Sequence, residues 1–266
     1  MALIEPQECV QQATQKQDVA KRFSAAARQY DTLATVQSAI AGSALARITT
    51  AKATKALDIG CGTGRHTYQL GLISQQTTGL DIAPGMLAQA AANYPMLSFV
   101  QGDAEQLPWQ ADEFDLVFSS MVLQWCRSPL VAMQEIKRVL QPGGKAELAI
   151  MVEGSFGELR QGCAGSGVTL RINPLFSAID WLNAAKQAGL ACGDQNTLDY
   201  PDRFDSVLPL LRSIKCIGAG SSTNQATSQP LSRCDLKALE GQMLAAGNGQ
   251  LTNTYKVLHL SLEKLL

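Results

Sequence analysis

The stretch ALDIGCGTGRHT, Ala56–Thr67, places Gly60, Gly62 and Gly64 directly after a short apolar run. The apolar run predicts a buried strand, and the residues after the last glycine begin a helical pattern. Glycine lets the backbone approach a ligand closely, and the first turn of a helix has free N–H groups that attract a ligand. The stretch therefore predicts a strand, a tight ligand-binding turn and a helix.

The glycine spacing differs from that of two common nucleotide-binding loops. It is GxGxG, which lacks the final glycine of the GxGxxG dinucleotide fingerprint, and no GK[ST] follows as in a Walker loop. A turn that merely connects a strand to a helix remains an alternative at this point, because glycine motifs also occur without a ligand.

Composition limits the classes of protein to consider. The chain has 266 residues, a formal net charge of −1 and 46% hydrophobic residues, which suits a globular α/β core with a modest appendage and does not favour nucleic acid or an anionic membrane. The seven cysteines are scattered without a CxxC pair, and only two histidines are present, so we expect reduced thiols and no metal site. The first residues have no cationic, apolar leader, and no later segment has about 18 consecutive apolar residues. We therefore expect a cytoplasmic protein.

The pattern along the chain predicts four segments. Residues 1–50 have a helical period and form an N-terminal cap of two helices, and residues 51–200 alternate short apolar runs with helical stretches, as in a parallel sheet built from βαβ units. Residues 201–250 form a helical lid that contains the polar loop GAGSSTNQATSQ, residues 218–229, and residues 251–266 form the last strand.

Two acidic residues follow the next predicted strands. Asp81 ends the second strand, where a carboxylate can accept hydrogen bonds from both ribose hydroxyls, and Asp103 ends the third. Asp103 and the Ala104 N–H can meet the edge of an adenine ring, and Ile82 and Met86 can cover its faces. The glycine turn and both acids then converge on one crevice, which predicts an adenosine-containing cofactor.

At these motifs the sequence resembles the class I S-adenosylmethionine-dependent methyltransferases, through LDIGCGTG, GLDIAPGML, GDAEQLPW and FDLVFSSMVLQW. The resemblance implies a Rossmann-like sheet of seven strands in the order 3-2-1-4-5-7-6, mostly parallel with strand 7 antiparallel, plus helical caps. It also implies that S-adenosylmethionine is the cofactor. The implied cofactor-binding residues are Tyr30, Asp58, Gly60, Gly62, Gly64, Asp81, Ile82, Met86, Asp103, Ala104 and Ser119, with Tyr30 closing over the site and Asp58 orienting the glycine loop.

Blocks outside this core resemble a narrower family, the malonyl-acyl-carrier-protein O-methyltransferases of biotin synthesis. They are FSAAARQYD, LQWC, GSFGELRQ, LRSIKCIGA and LTNTYKVLHL. The resemblance implies methyl transfer to the free carboxylate of a malonyl thioester, which makes that end resemble an ordinary acyl chain. The implied partner is an acyl carrier protein that carries malonate, or malonyl-coenzyme A.

A carboxylate acceptor changes which catalytic groups to expect. A carboxylic acid has a pKa of about 4 and is already an anion at neutral pH, so no general base is needed, and His66 and His259 are expected to be structural. Candidate residues for holding the anion and the substrate are Gln124, Trp125, Arg160, Arg212 and Lys215, and a bidentate arginine suits a carboxylate best.

Other functions remain open from the sequence alone. The cations of the caps form modest local excesses on which an acidic carrier protein could dock. The alternatives are a methyltransferase for another small acid or metabolite, an adaptor that binds S-adenosylmethionine without turnover, and an NAD-dependent oxidoreductase, which the missing fingerprint glycine disfavours.

Overall fold

The structure is a computed structural model that describes residues 6–49, 52–170, 173–216 and 231–266, without the side chains of residues 6–15, 215 and 216. Its centre is one sheet of seven strands. The strands are β1 (Ala53–Ile59), β2 (Ser74–Asp81), β3 (Ser98–Gln101), β4 (Phe114–Ser120), β5 (Leu140–Met151), β6 (Ala191–Phe204) and β7 (Leu251–Glu263). The polar loop predicted at 218–229 lies outside the described residues.

The strand order is β3-β2-β1-β4-β5-β7-β6. Strands β1 to β5 pair in parallel, whereas β7 is antiparallel to both β5 and β6. The predicted order and the antiparallel seventh strand are confirmed. Because the connections diverge to opposite sides at β1 and β4, a crevice opens between the carboxyl ends of these two strands.

Nine α-helices are described. They are α1 (Pro6–Leu33), α2 (Thr35–Leu45), α3 (Arg65–Gly71), α4 (Pro84–Asn93), α5 (Pro129–Val139), α6 (Gly157–Ser166), α7 (Ala178–Ala188), α8 (Val207–Cys216) and α9 (Arg233–Ala246). Two separate apolar cores cover the two faces of the sheet: α5 and α7 supply one, and α2, α6, α8 and α9 contribute to the other. Because helices cover both faces of the sheet, β1 and β5 contain runs of consecutive buried residues.

Two elements differ from the sequence prediction. Helix α6 was not expected, because its segment GELRQGCAGS contains three glycines and shows little apolar periodicity. It forms by packing on α9, where a side chain at Gly162 would lie 2.5 Å from Met243 Cγ. Strand β6 continues to Phe204, four residues past the predicted boundary, because each of these residues still pairs with β7.

Helix α1 lies across the crevice end of the sheet and packs on α4. The closest approach is at Gly85, where a Cβ atom would lie 2.7 Å from Ser24 Cα, and the Gly85 N–H donates to Ser24 Oγ at 3.0 Å. Only glycine permits this backbone contact, so the Ala83–Gly85 segment at the start of α4 is where the N-terminal helix packs most closely.

Candidate active site

The carboxyl ends of β1, β2, β3 and β4 line one large crevice under α1 and α2. It contains about 1290 Å³ of empty space, part of it open to solvent. Nine of the predicted site residues line it: Tyr30, Gly60, Gly62, Asp81, Ile82, Met86, Asp103, Ala104 and Trp125. The crevice therefore brings most of the predicted cofactor-binding residues together.

The glycine loop forms the floor of the crevice. All three glycines have positive φ, at +77° for Gly60, +53° for Gly62 and +85° for Gly64. At Gly60 a Cβ atom would lie 2.0 Å from Val122 Cγ2, whereas at Gly62 it would point into open space. Gly64 precedes α3 and does not line the crevice. Side chains in this loop would strain the backbone and, at Gly60, break its contact with the end of β4.

Asp58 lies beneath this loop and not in the crevice. Its side chain is buried, and its Oδ2 accepts a hydrogen bond from Thr67 Oγ1 at 2.7 Å. Burial raises the pKa of Asp58 to about 7, with nearby Asp81 adding to the rise and Thr67 opposing it. Asp58 thus connects β1 to α3 on either side of the glycine loop.

Asp81 faces the crevice from the end of β2. Its Oδ2 accepts from the Gly62 N–H at 2.9 Å and its Oδ1 from the Ala83 N–H at 2.8 Å. Burial raises the pKa of Asp81, and the backbone N–H groups oppose that rise. The carboxylate is fixed in place by the loop and keeps lone pairs for a ligand.

Asp103, at the next strand end, is paired with a residue from the N-terminal helix. Lys16 Nζ lies 2.5 Å from Asp103 Oδ2 and 2.5 Å from Glu105 Oε2. Burial lowers the pKa of Lys16, but the hydrogen bonds and charges of the two carboxylates outweigh burial and raise it. This ion pair ties α1 to the adenine end of the predicted cofactor site.

Aromatic side chains of α1 close the crevice from above. Phe23 makes edge contacts with Tyr30 and with Trp125, both at 6.2 Å between ring centroids. Burial, Asp81 and Asp31 raise the pKa of Tyr30, so its hydroxyl keeps its proton. Asp31, at the end of α1, accepts from Thr63 Oγ1 of the glycine loop at 2.7 Å.

The chain leaves β4 in a strained turn. Met121 lines the crevice at φ +58°, a conformation that costs a non-glycine residue roughly 1–3 kcal/mol and occurs often at functional sites. Ser119 and Gln124 lie behind this turn and do not line the crevice. Ser119 Oγ donates to the Ile59 carbonyl at 2.9 Å, and Gln124 Nε2 donates to the Met121 carbonyl at 2.7 Å. Both side chains hold the turn in shape.

The predicted carboxylate-binding cations lie elsewhere. Arg160 on α6 and Arg212 on α8 are exposed and do not line the crevice, because the buried faces of both helices are apolar. Lys215 has a side chain outside the described residues. His66 lines the crevice, and burial and Arg65 lower its pKa to about 4.

His259 lies in the core on β7, away from the crevice. Its side chain is fully buried, and its Nε2 is 2.7 Å from Tyr200 Oη. Burial, with a smaller effect of Arg47, lowers its pKa to about 4. These contacts are those of a structural residue.

Several polar crevice residues were not predicted, among them Lys16, Gln37, Arg65 and Arg127. The sequence could have indicated Gln37, because it shares the inward face of α2 with the apolar residues Ile40, Ala41 and Ala44. The sequence gives no such indication for Lys16, because its partner Asp103 is 87 residues away.

The residues present fit an adenosine cofactor with a cationic amino-acid end. The open space above Gly62, where a Cβ atom would have no neighbour within 4 Å, gives a ligand access to the loop backbone. Asp81 and Asp103 would supply acceptors for the ribose hydroxyls and the adenine amine, and buried Met86 with Ile82 would supply an apolar wall.

Comparison with known proteins shows similarity to methyltransferases. Residues 57–148 match a family described as Methyltransferase domain. The chain is 35% identical over 254 residues to a malonyl-[acyl-carrier protein] O-methyltransferase from Alcanivorax borkumensis, covering 92% of this chain and 86% of that protein. It is 36% identical over 209 residues to the biotin biosynthesis bifunctional protein BioHC from Cellvibrio japonicus, covering 78% of this chain and 42% of that protein.

Solved structures show the same fold. The YcgJ protein from Bacillus subtilis superposes with a TM-score of 0.61 at 19% identity, covering 85% of this chain and 98% of YcgJ. In the described part of the chain, no helix combines the length and apolar character needed to cross a membrane.

Proposed function

Since this chain belongs to the malonyl-[acyl-carrier protein] O-methyltransferases, a family of S-adenosylmethionine-dependent enzymes, we propose that it methylates the free carboxylate of a malonyl thioester in biotin synthesis. The observation that supports this most is the crevice itself. It joins the glycine loop and the two strand-end acids to a lining whose one histidine, His66, has a pKa lowered to about 4. A neutral imidazole with so low a pKa is a weak base, which suits an acceptor that needs no deprotonation.

The chemistry needs little from the protein beyond alignment and the exclusion of water. When bound, S-adenosylmethionine supplies a methyl group whose bond to sulfur breaks, with the electron pair left on sulfur, as the carboxylate oxygen forms the new bond. No proton moves in this exchange. The chain's residues therefore act by holding the two reactants in line in a dry site.

The cofactor end is held by groups that the structure has already fixed. We assign the ribose hydroxyls to Asp81, the adenine amine to Asp103 and the Ala104 N–H, and the amino-acid end to the backbone around Gly60 and Gly62. Asp81 is fixed by two backbone N–H groups before any ligand arrives, so it loses little freedom on binding.

Helix α1 supplies the cover that excludes water. It is fastened at three points: the Lys16 ion pair, the Gly85 contact with Ser24, and the hydrogen bond of Asp31 with Thr63. Because the crevice lies under this helix, we infer that α1 moves to admit the cofactor and returns before transfer, as lids do in other enzymes.

An acyl carrier protein is the proposed partner. Exposed cations stand on α1 at Lys21 and Arg28, and on the segment of β6 and α8 at Arg203 and Arg212. Helices α1 and α8 pack on each other, so the segments that carry Arg28 and Arg212 are neighbours in the fold. An acidic carrier that docks there would bring its malonyl group to the crevice mouth.

Transfer of a radiolabelled methyl group to three acceptors tests the proposal: malonyl-carrier protein, malonyl-coenzyme A and a succinyl-carrier protein. We expect the malonyl-carrier protein to be methylated most efficiently. Raising salt should slow its reaction far more than that of malonyl-coenzyme A, because screening weakens carrier docking. Equal salt sensitivity would contradict carrier docking, and no transfer to either malonyl thioester would refute the function.

A further inference from the structure

The acceptor end of the crevice has one buried polar side chain with no assigned role. Helix α2 lies over β4 and β5, beyond the glycine loop and on the side opposite the adenosine residues of β2 and β3. It contributes Gln37, Ser38 and Ala41 to the crevice wall. Gln37 is only 8% exposed, yet it faces the crevice. Such a group needs a hydrogen-bond partner.

Tyr255 lies directly behind Gln37. It is fully buried on β7, and its hydroxyl has the side chains of Gln37 and Ser213 beside it but makes no hydrogen bond of good geometry with either. Burial and Asp202 raise its pKa to about 12, so the hydroxyl carries its proton at neutral pH. Ser213 Oγ donates its own proton to the Leu210 carbonyl at 2.9 Å and can only accept from Tyr255.

Two hydrogen-bond arrangements would satisfy the Tyr255 hydroxyl. If the hydroxyl donated to Gln37 Oε1, both N–H groups of the amide would remain unused. If it donated to Ser213 instead, Gln37 would donate one N–H to Tyr255 and keep the other. In either arrangement, Gln37 would retain at least one N–H that could donate to a ligand in the crevice.

We propose that Gln37 binds the carboxylate of the acceptor, with Tyr255 and Ser213 as positioning residues that aim its amide. The assignment rests on the proposed function. A neutral amide suits this task, because it orients one carboxylate oxygen and leaves the other free to react. A full positive charge against the carboxylate would instead stabilise the ground state and reduce the gain in the transition state.

Charged and titratable groups from several elements share the crevice with Gln37 or act on Tyr255. Tyr30 and Asp31 on α1, and Arg65 and His66 on α3, line the same crevice, and Asp202 on β6 acts on Tyr255. These groups can also change activity with pH. The pH profile of a titrating variant at position 37 must therefore be compared with that of a variant whose side chain at position 37 cannot titrate.

The test compares Gln37→Glu with Gln37→Ala, with Gln134→Glu as a matched control on the exposed face of α5. At pH 8, Gln37→Glu should lower kcat/KM for a malonyl thioester roughly 100-fold, mainly through KM, because two carboxylates then face each other. Below about pH 6 part of this loss should be recovered, since the protonated carboxylic acid of that variant donates as the amide does. Gln37→Ala should lose roughly 10-fold at every pH, and Gln134→Glu should match the wild type.

Two binding measurements separate this role from a structural one. By calorimetry, Gln37→Glu should weaken the affinity for malonyl-coenzyme A without cofactor, and leave the affinity for S-adenosylmethionine within about twofold. Tyr255→Phe should cost a smaller factor that largely disappears in the Gln37→Ala background. If the pH profile of kcat/KM for Gln37→Glu runs parallel to that of Gln37→Ala, or if only the affinity for the cofactor falls, the role of Gln37 is wrong while the proposed function stands. A wild-type enzyme inactive on malonyl thioesters would overturn the proposed function together with it.

Discussion

Asp58, under the glycine loop, should make the protein less stable as the pH rises. Its pKa is raised from an ordinary 3.8 to about 7 in the folded protein, mainly by burial. Between these values the folded chain holds a proton that the unfolded chain has released, so the free energy of unfolding falls with increasing pH. At 1.36 kcal/mol per pH unit, the rise corresponds to a loss of about 4 kcal/mol on going from pH 4 to pH 8.

The variant Asp58→Asn isolates this effect, because asparagine has the same shape, can accept from Thr67 and does not titrate. Urea unfolding of both proteins at intervals from pH 4 to pH 8 gives the difference in unfolding free energy, in which the other titrating groups cancel. We expect this difference to shift in favour of Asp58→Asn by up to about 4 kcal/mol across that range, most of it below pH 7. A difference that stays constant with pH would refute the protonated, buried state of Asp58.

Further predictions concern the crevice. Asp81→Ala should weaken cofactor binding by roughly 1.5–3 kcal/mol in calorimetry through the loss of two charge-assisted contacts, and unchanged affinity would remove the ribose assignment. Gly85→Ala should raise the rate at which a protease cleaves α1, because the added Cβ atom would lie 2.7 Å from the backbone of that helix. Cleavage at the wild-type rate would contradict the proposed close packing of α1 on Gly85. His66→Gln and His259→Gln should keep a constant ratio of activity to the wild type from pH 6 to pH 8, and a dead His66→Gln would mean that the acceptor carries a proton that must be removed. Arg212→Ala should keep its kcat/KM for malonyl-coenzyme A, because Arg212 lies outside the crevice, and a large loss would instead support the predicted arginine clamp.

Local patterns in the sequence were sufficient to predict the sheet and the cofactor end of the site. The glycine loop and the two acids each lie at a strand end, and parallel strands bring their carboxyl ends to one edge, so the crevice follows from the strand order. Only the resemblance to known methyltransferases supplied the antiparallel β7, because alternating burial does not reveal strand direction.

The acceptor end could not be predicted in the same way. Gln37 and Tyr255 meet only because α2 crosses over the sheet, a contact between segments more than 200 residues apart. Charge favours the arginines of α6 and α8 as carboxylate ligands, but a sequence does not say which side of a helix faces solvent when its apolar period is weak, as in α6. Tertiary packing determines which of these side chains reach the crevice.

The fate of the carboxylate oxygens tests the central claim most directly. Malonyl-carrier protein whose free carboxylate bears ¹⁸O at both oxygens is incubated with the enzyme and S-adenosylmethionine, and the product is analysed by mass spectrometry. Direct attack by the carboxylate predicts a methyl ester that retains both labelled oxygens. Loss of one label, or a methyl group found on carbon or sulfur, would contradict methyl transfer to a pre-ionised malonyl carboxylate.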